Sequence, residues 1–135
     1  MKKLLLGLML LVGLTGFSQS KLLYVYNSGD SQGIEFTHDL DAYGAKEHPW
    51  EIGFGLTGCG DLNTGYLILG QKITKYVTLA GKVGGYSSDR CCGDNAHIYY
   101  GGTTYLQLNG DKEGFILGMG VDNIHNLTVG LGYKF

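Results

Sequence analysis

From Trp50 onward the chain alternates apolar residues with small or polar ones in runs of eight to twelve, separated by short stretches carrying Gly, Asn, Asp or Ser. Side chains in a strand point to opposite faces with a period of two, so each run has one apolar face. Trp50, Ile52, Phe54 and Leu56 share a face opposite Glu51, Gly53, Gly55 and Thr57. Val77, Leu79 and Val83 oppose Thr78, Ala80, Lys82, Gly84 and Tyr86, while Phe115, Leu117, Met119 and Val121 oppose Gly118, Gly120 and Asp122. The last run puts Leu127, Val129, Leu131, Tyr133 and Phe135 opposite Thr128, Gly130, Gly132 and Lys134. With two earlier runs, the pattern predicts eight strands: Lys21 to Asn27, Gly33 to Leu40, Trp50 to Thr57, Thr64 to Lys72, Tyr76 to Tyr86, His97 to Leu108, Gly114 to Asp122 and Asn126 to Phe135. No long segment after the N-terminus spaces its apolar residues as a helix would.

In a water-soluble protein the polar face would be wet. In a membrane barrel it lines the interior, and the apolar face meets lipid. Strands can cross a bilayer only if they close on themselves, because lipid satisfies no sheet edge. The predicted fold is therefore all-β, an antiparallel up-and-down transmembrane β-barrel of eight strands. The run from Asn126 to Phe135 resembles the C-terminal strand of bacterial outer-membrane barrels. That resemblance implies that Tyr133 and Phe135 form part of the signal read by the barrel-assembly machinery, and that Phe135 lies at the periplasmic rim. On that orientation the turns near Thr74 and Lys75 and around Asn109 to Lys112 are periplasmic and short. Ser28 to Gln32, Gly58 to Asn63, Ser87 to Ala96 and Asn123 to His125 then face outside. Asp41 to Pro49 is long for its side, which allows a longer second strand or a misplaced first pair.

The N-terminus fits the same address. Lys2 and Lys3 precede an apolar run from Leu4 to Leu14, and Gly16-Phe17-Ser18 offers small residues at the positions a signal peptidase tests. The expected division is a cleaved signal peptide over 1–18 and an outer-membrane barrel over 19–135. The apolar run is short for a helical span, which needs ~20 residues. The Gln19 start also resembles exported proteins of Bacteroidota. Without Lys2 and Lys3, eight basic residues face twelve acidic ones, a net charge of −4 that argues against nucleic acid.

Eight strands give a barrel just wide enough for side chains to fill its middle. The residues expected inside are glycines with Glu35, Glu51, Lys82, Lys134, Tyr99, Tyr105 and Gln107. Buried charges of opposite sign are expected to pair, which gives a closed interior and no wide pore. Trp50, Tyr76 and Tyr133 at one end, with Tyr66 and Tyr100 at the other, are read as interfacial aromatic girdles.

Three cysteines are the conspicuous loop feature. An exported chain meets an oxidising compartment, so Cys59 is expected to bridge to Cys91 or Cys92, or else the thiols stay free. Cys59, Cys91, Cys92, His97 and His125 could also gather as a zinc-like set at the outer rim, but their spacing fits no finger. His38 and His48 read as surface residues. No metal or other cofactor is expected. A catalytic grouping of Ser87, Ser88, Asp89 and His97 lacks a nucleophile elbow.

Taken whole, the pattern resembles the small eight-stranded outer-membrane barrels of the OmpA transmembrane-domain and OmpX type, although the chain is short and carries cysteines. The resemblance implies location in the outer membrane, contact with its lipid, and a structural, adhesive or recognition role through loops acidic at Asp30, Asp61, Asp89, Asp94 and Asp122. The alternatives are a lipid-modifying outer-membrane enzyme and a soluble periplasmic barrel or sandwich that binds a ligand.

Overall fold

A computed structural model describes residues 19–28, 30–40, 48–59, 62–88 and 97–135, with Cys59 and Ser88 described by backbone alone. Among these residues eight strands form: β1 (Ser20–Asn27), β2 (Ser31–Leu40), β3 (Trp50–Cys59), β4 (Leu62–Thr74), β5 (Val77–Ser88), β6 (His97–Gln107), β7 (Gly114–Asp122) and β8 (Thr128–Lys134). Each pairs antiparallel with its sequence neighbours, and β8 returns to β1 with Lys21 opposite Lys134 and Asn27 opposite Thr128. The result is a closed barrel in the order β1 to β8. Closure leaves no edge strand with unpaired backbone groups.

The eight predicted strands are all present, with shifted ends. β2, β3, β4 and β5 run past the apolar alternation into Ser31, Cys59, Leu62 and Ser88, because the backbone ladder continues where side chains have turned polar. β8 starts two residues late, at Thr128, since Asn126 has a φ of 64° and closes the preceding turn. β2 is longer than expected, but at its upper end, through Ser31 and Gln32, and the first pair is in place, with Leu40 opposite Trp50. Residues 41–47 of the connector lie outside the described residues.

The connectors define two rims. The upper rim carries the β1–β2, β3–β4, β5–β6 and β7–β8 connections; the lower rim carries the other three and Phe135. Thr74 Oγ1 accepts from the amides of Tyr76 and Val77 at 3.2 and 3.1 Å to form the β4–β5 turn. Gly110, at a φ of 63°, supplies the left-handed step of the β6–β7 turn.

The faces are inverted relative to a water-soluble protein. Leu67, Ile98, Val121, Phe115 and Leu131 are more than half exposed on the outside, whereas Lys21, Glu35 and Glu51 are at most 1% exposed. Leu23, Val25, Ile68 and Ile116 are also buried, so the interior is mixed and not wholly polar.

One inward ring decides the packing of the middle. Tyr66, read from sequence as an interfacial girdle residue, points inward and is 5% exposed. It lies there because its neighbours leave room: a Cβ on Gly55 would meet the Tyr66 ring at 2.3–2.6 Å, and one on Gly84 would meet the Tyr66 backbone at 2.5 Å. Gly55→Val is therefore expected to displace the ring and destabilise the barrel by about 1–3 kcal/mol, measured by denaturant unfolding of the folded barrel; an unchanged midpoint would contradict the packing.

Candidate functional site

The charged and hydrogen-bonding groups converge inside the barrel, in three tiers. At the centre, the Glu35 carboxylate accepts from Tyr66 OH at 2.7 Å on Oε1 and from Tyr105 OH at 2.6 Å on Oε2. The Lys82 ammonium pairs with the same Oε1 and lies 5.3 Å from the Tyr66 ring centroid. Tyr66 in turn stacks on Tyr99 with ring centroids 4.7 Å apart. Four strands, β2, β4, β5 and β6, thus meet at one carboxylate.

Towards the lower rim the charges form a larger cluster. Lys21 pairs with Glu51 and reaches Asp39 Oδ1 at 3.2 Å. Lys134 approaches Asp39 Oδ2 at 3.3 Å, and Lys72 lies 3.9 Å from the same oxygen while also pairing with the exposed Asp111. The Gln107 amide oxygen accepts from Lys21 Nζ at 3.1 Å and Thr78 Oγ1 at 3.3 Å. Three ammonium groups against Asp39, Glu51 and Asp111 balance in formal charge. Removing a buried member leaves the charges it paired with buried and uncompensated, which is why such clusters tolerate single substitutions poorly.

Near the upper rim, Asp122 folds its own turn. Its Oδ1 accepts from the amides of Ile124 and His125 at 2.8 and 2.6 Å, and lies 3.2 Å from His125 Nδ1. Its Oδ2 accepts from Thr128 Oγ1 at 3.1 Å and Tyr99 OH at 3.4 Å. Ser28 Oγ donates to the His125 carbonyl, which joins the β1–β2 turn to the β7–β8 turn.

Glu35, Glu51, Lys82 and Lys134 all lie inside, with Tyr99, Tyr105 and Gln107. Glu35 joins Lys82, whereas Glu51 joins Lys21 and Lys134 joins Asp39. Lys21, Asp39, Lys72 and Tyr66 belong to the same interior and were not singled out from sequence as lumen residues; inward parity on β1, β2 and β4 was the signal available. Asp122 is not a loop acid on display, since its side chain is 1% exposed and spent on its own turn. His48 is exposed, and His38 is partly buried with Nδ1 3.0 Å from Ser20 Oγ. His97 stacks on Tyr86 with centroids 4.9 Å apart.

Tyr133 and Phe135 lie on the outer face, ring to ring at 5.6 Å, with Phe115 against Tyr133 at the same distance. Residues 1–18, Asp61, Asp89, Cys91, Cys92 and Asp94 lie outside the described residues, as do the Cys59 and Ser88 side chains. The expected signal peptide, the expected disulfide and most of the loop acids fall there, as do Asp89 and the Ser88 side chain of the serine grouping, whose Ser87 and His97 are exposed. Among the described residues, no three His, Cys, Asp or Glu side chains gather as a metal site.

No protein-family model matches the chain, and no curated protein matches it. Among solved structures it is similar to the outer membrane protein Ail of Yersinia pestis, determined in a phospholipid bilayer nanodisc. The likeness has 14% sequence identity and a TM-score of 0.49, and covers 86% of this chain and 97% of that one.

Proposed function

We propose that this chain is a small outer-membrane β-barrel with a filled interior, serving as a structural or loop-mediated binding element of the envelope. The observation that carries the reading is the inversion of the wall. Exposed aromatic and aliphatic side chains cover seven of the described strands, from Tyr24 and Tyr26 on β1 to Leu131 and Tyr133 on β8, and on β2 Ile34, Phe36 and Leu40 are partly exposed. Burying a Leu or Phe side chain is worth about 1.5–3 kcal/mol, and a barrel in water would forgo that many times over. Lipid recovers it. The same inversion weighs against a water-soluble periplasmic barrel.

Tyrosines at the wall's ends suit two interfaces, where a ring stays in lipid and its hydroxyl reaches polar groups. Tyr26 OH donates to Asp30 at 2.7 Å beside the upper rim, and Tyr24 OH to Gln32. Trp50 and Tyr76 are half-exposed near the lower one. In this reading a leader over 1–18 is cleaved on export, Tyr133 and Phe135 present the assembly signal, and the lower rim is periplasmic. The paired charges and stacked tyrosines across the lumen support a barrel without a wide pore.

Fractionation tests this directly. The protein is expected in the outer-membrane fraction, extracted by detergent, and migrating differently in gels before and after boiling because the closed sheet resists unfolding by detergent alone. Recovery in the osmotic-shock fluid without detergent would overturn it.

A further inference from the structure

The outer wall is not uniformly bulky. Most of its outward positions carry large apolar side chains, yet among the described strands Gly58, Gly65, Gly81, Gly85 and Gly102 also face outward, all on β3 to β6. Two of them are neighbours at mid-strand, Gly81 on β5 opposite Gly102 on β6. A glycine inside a strand weakens it through its conformational freedom, and it often marks a place where something approaches the backbone closely. The inward glycines are accounted for by the barrel's own packing. A Cβ on Gly33, Gly53, Gly84 or Gly132 would come within 1.9–2.2 Å of a backbone oxygen. Gly81 and Gly102 are different: a Cβ there would come no nearer than 4.0 and 3.8 Å to the surrounding backbone, so the barrel itself has room for a larger residue at both.

The missing side chains leave a groove of about 580 Å³ in the outer face. Gly81 and Gly102 form its floor, and Leu79, Thr104 and Met119 stand in register along one side. Val83 and Tyr100 are the next outward pair on the other side. Val121, opposite Gly102, and Leu127 close the end towards β8. From β5 to the start of β8 the groove crosses three strand spacings, about 14 Å. Leu79, Met119, Val121 and Leu127 are each about half exposed or more, so the groove opens outward, and the sheet separates it from the lumen. Thr104 is the one polar side chain among these outward residues.

Position, chemistry and shape together choose the occupant. The groove lies halfway along its strands, in the wall read above as facing lipid, and none of its lining side chains is charged. It is one row of residues wide. A closed sheet is convex, so a second barrel set against this face would touch the ridges on either side and leave the floor uncovered. Such a void forfeits the dispersion contacts of every atom that lines it. A hydrocarbon chain has no polar group in need of a partner, and it is flexible enough to follow the floor while touching both sides. We propose that this groove holds one acyl chain of a membrane phospholipid, retained longer than the lipid that surrounds the rest of the wall. The proposal rests on the envelope reading and goes beyond it by giving the barrel one defined lipid site between β5 and β8.

The test folds the chain into vesicles of dimyristoyl phosphatidylcholine, extracts it in mild detergent and weighs the intact barrel by native mass spectrometry. The expected spectrum shows the barrel with one phospholipid attached. Gly81→Leu combined with Gly102→Leu fills the floor and is expected to lose that adduct while keeping the heat-modifiable migration of a folded barrel. Gly102→Val alone, the smaller change, is expected to reduce it. Ile52→Leu, outward on β3 and away from the groove, is expected to leave it at the level of the unsubstituted chain. Insertion without a retained phospholipid would overturn the groove alone, as would an adduct that survives in both glycine variants. Recovery of a dimer that the glycine variants abolish would assign the groove to a second copy and overturn the lipid site. A chain that stays outside the vesicles would overturn the envelope reading together with the groove.

Discussion

Replacing Glu35 by Ala is expected to cost the barrel about 3–5 kcal/mol of unfolding free energy, the range seen when one member of a buried pair is removed. The effect is large because this carboxylate is the ion-pair partner of the Lys82 ammonium and also accepts both the Tyr66 and Tyr105 hydroxyls. Its loss leaves a buried cation and two buried donors together, away from water. The double variant Glu35→Leu with Lys82→Leu is expected to recover most of the loss, because an apolar pair of similar volume removes the stranded charge along with its partner. Urea unfolding of the barrel in lipid vesicles reads both. A cost below about 1 kcal/mol for Glu35→Ala, the range of an exposed ion pair, would mean that the interior is wet and the tier is not a plug.

Leu69→Arg, in the middle of the outward face of β4, is expected to cost about 2–4 kcal/mol in a bilayer. Gln71→Arg, one outward position nearer the lower rim, is expected to cost about 0–1 kcal/mol in the same vesicles. Leu69 is 55% exposed and makes the wall rather than the core. In water an arginine there would be nearly neutral, so the depth dependence separates a lipid-facing wall from a wet one. Equal and small effects at both positions would contradict the membrane reading.

What the alternation made legible, and what it did not, follows from how information is carried in a strand. Parity alone identifies the outward row from Leu127 to Phe135 and the inward Lys134, because a single-residue slip would reverse every side chain. Tyr66 shares the inward parity of Thr64, Gly70 and Lys72, but a tyrosine near a strand end suits an interface as well as a lumen; the register, which sets Gly55 and Gly84 on the adjacent strands beside it, shows the room that lets it point inward. The lower ion cluster was hidden for a similar reason. Lys21, Asp39, Glu51, Lys72 and Lys134 come from five strands, and sequence distance says nothing of which charges meet across a lumen.

Asp122 shows the opposite case, a residue whose role was readable locally. An Asp followed by free amides two and three residues on is turn chemistry, and the structure uses it so at Ile124 and His125. Strand ends were the least legible. Ser31, Leu62 and Ser88 extend the ladder through backbone pairing that side-chain pattern does not report.

The central claim is that the apolar wall faces lipid, and the chain's single tryptophan reports on it. Trp50 starts β3 on the outward face and is 45% exposed. With the barrel folded into vesicles of phospholipids brominated along their acyl chains, the expected result is blue-shifted Trp50 emission, quenched most by bromines near the headgroup end of the chain. Emission typical of water, unaffected by bromine at any depth, would contradict it.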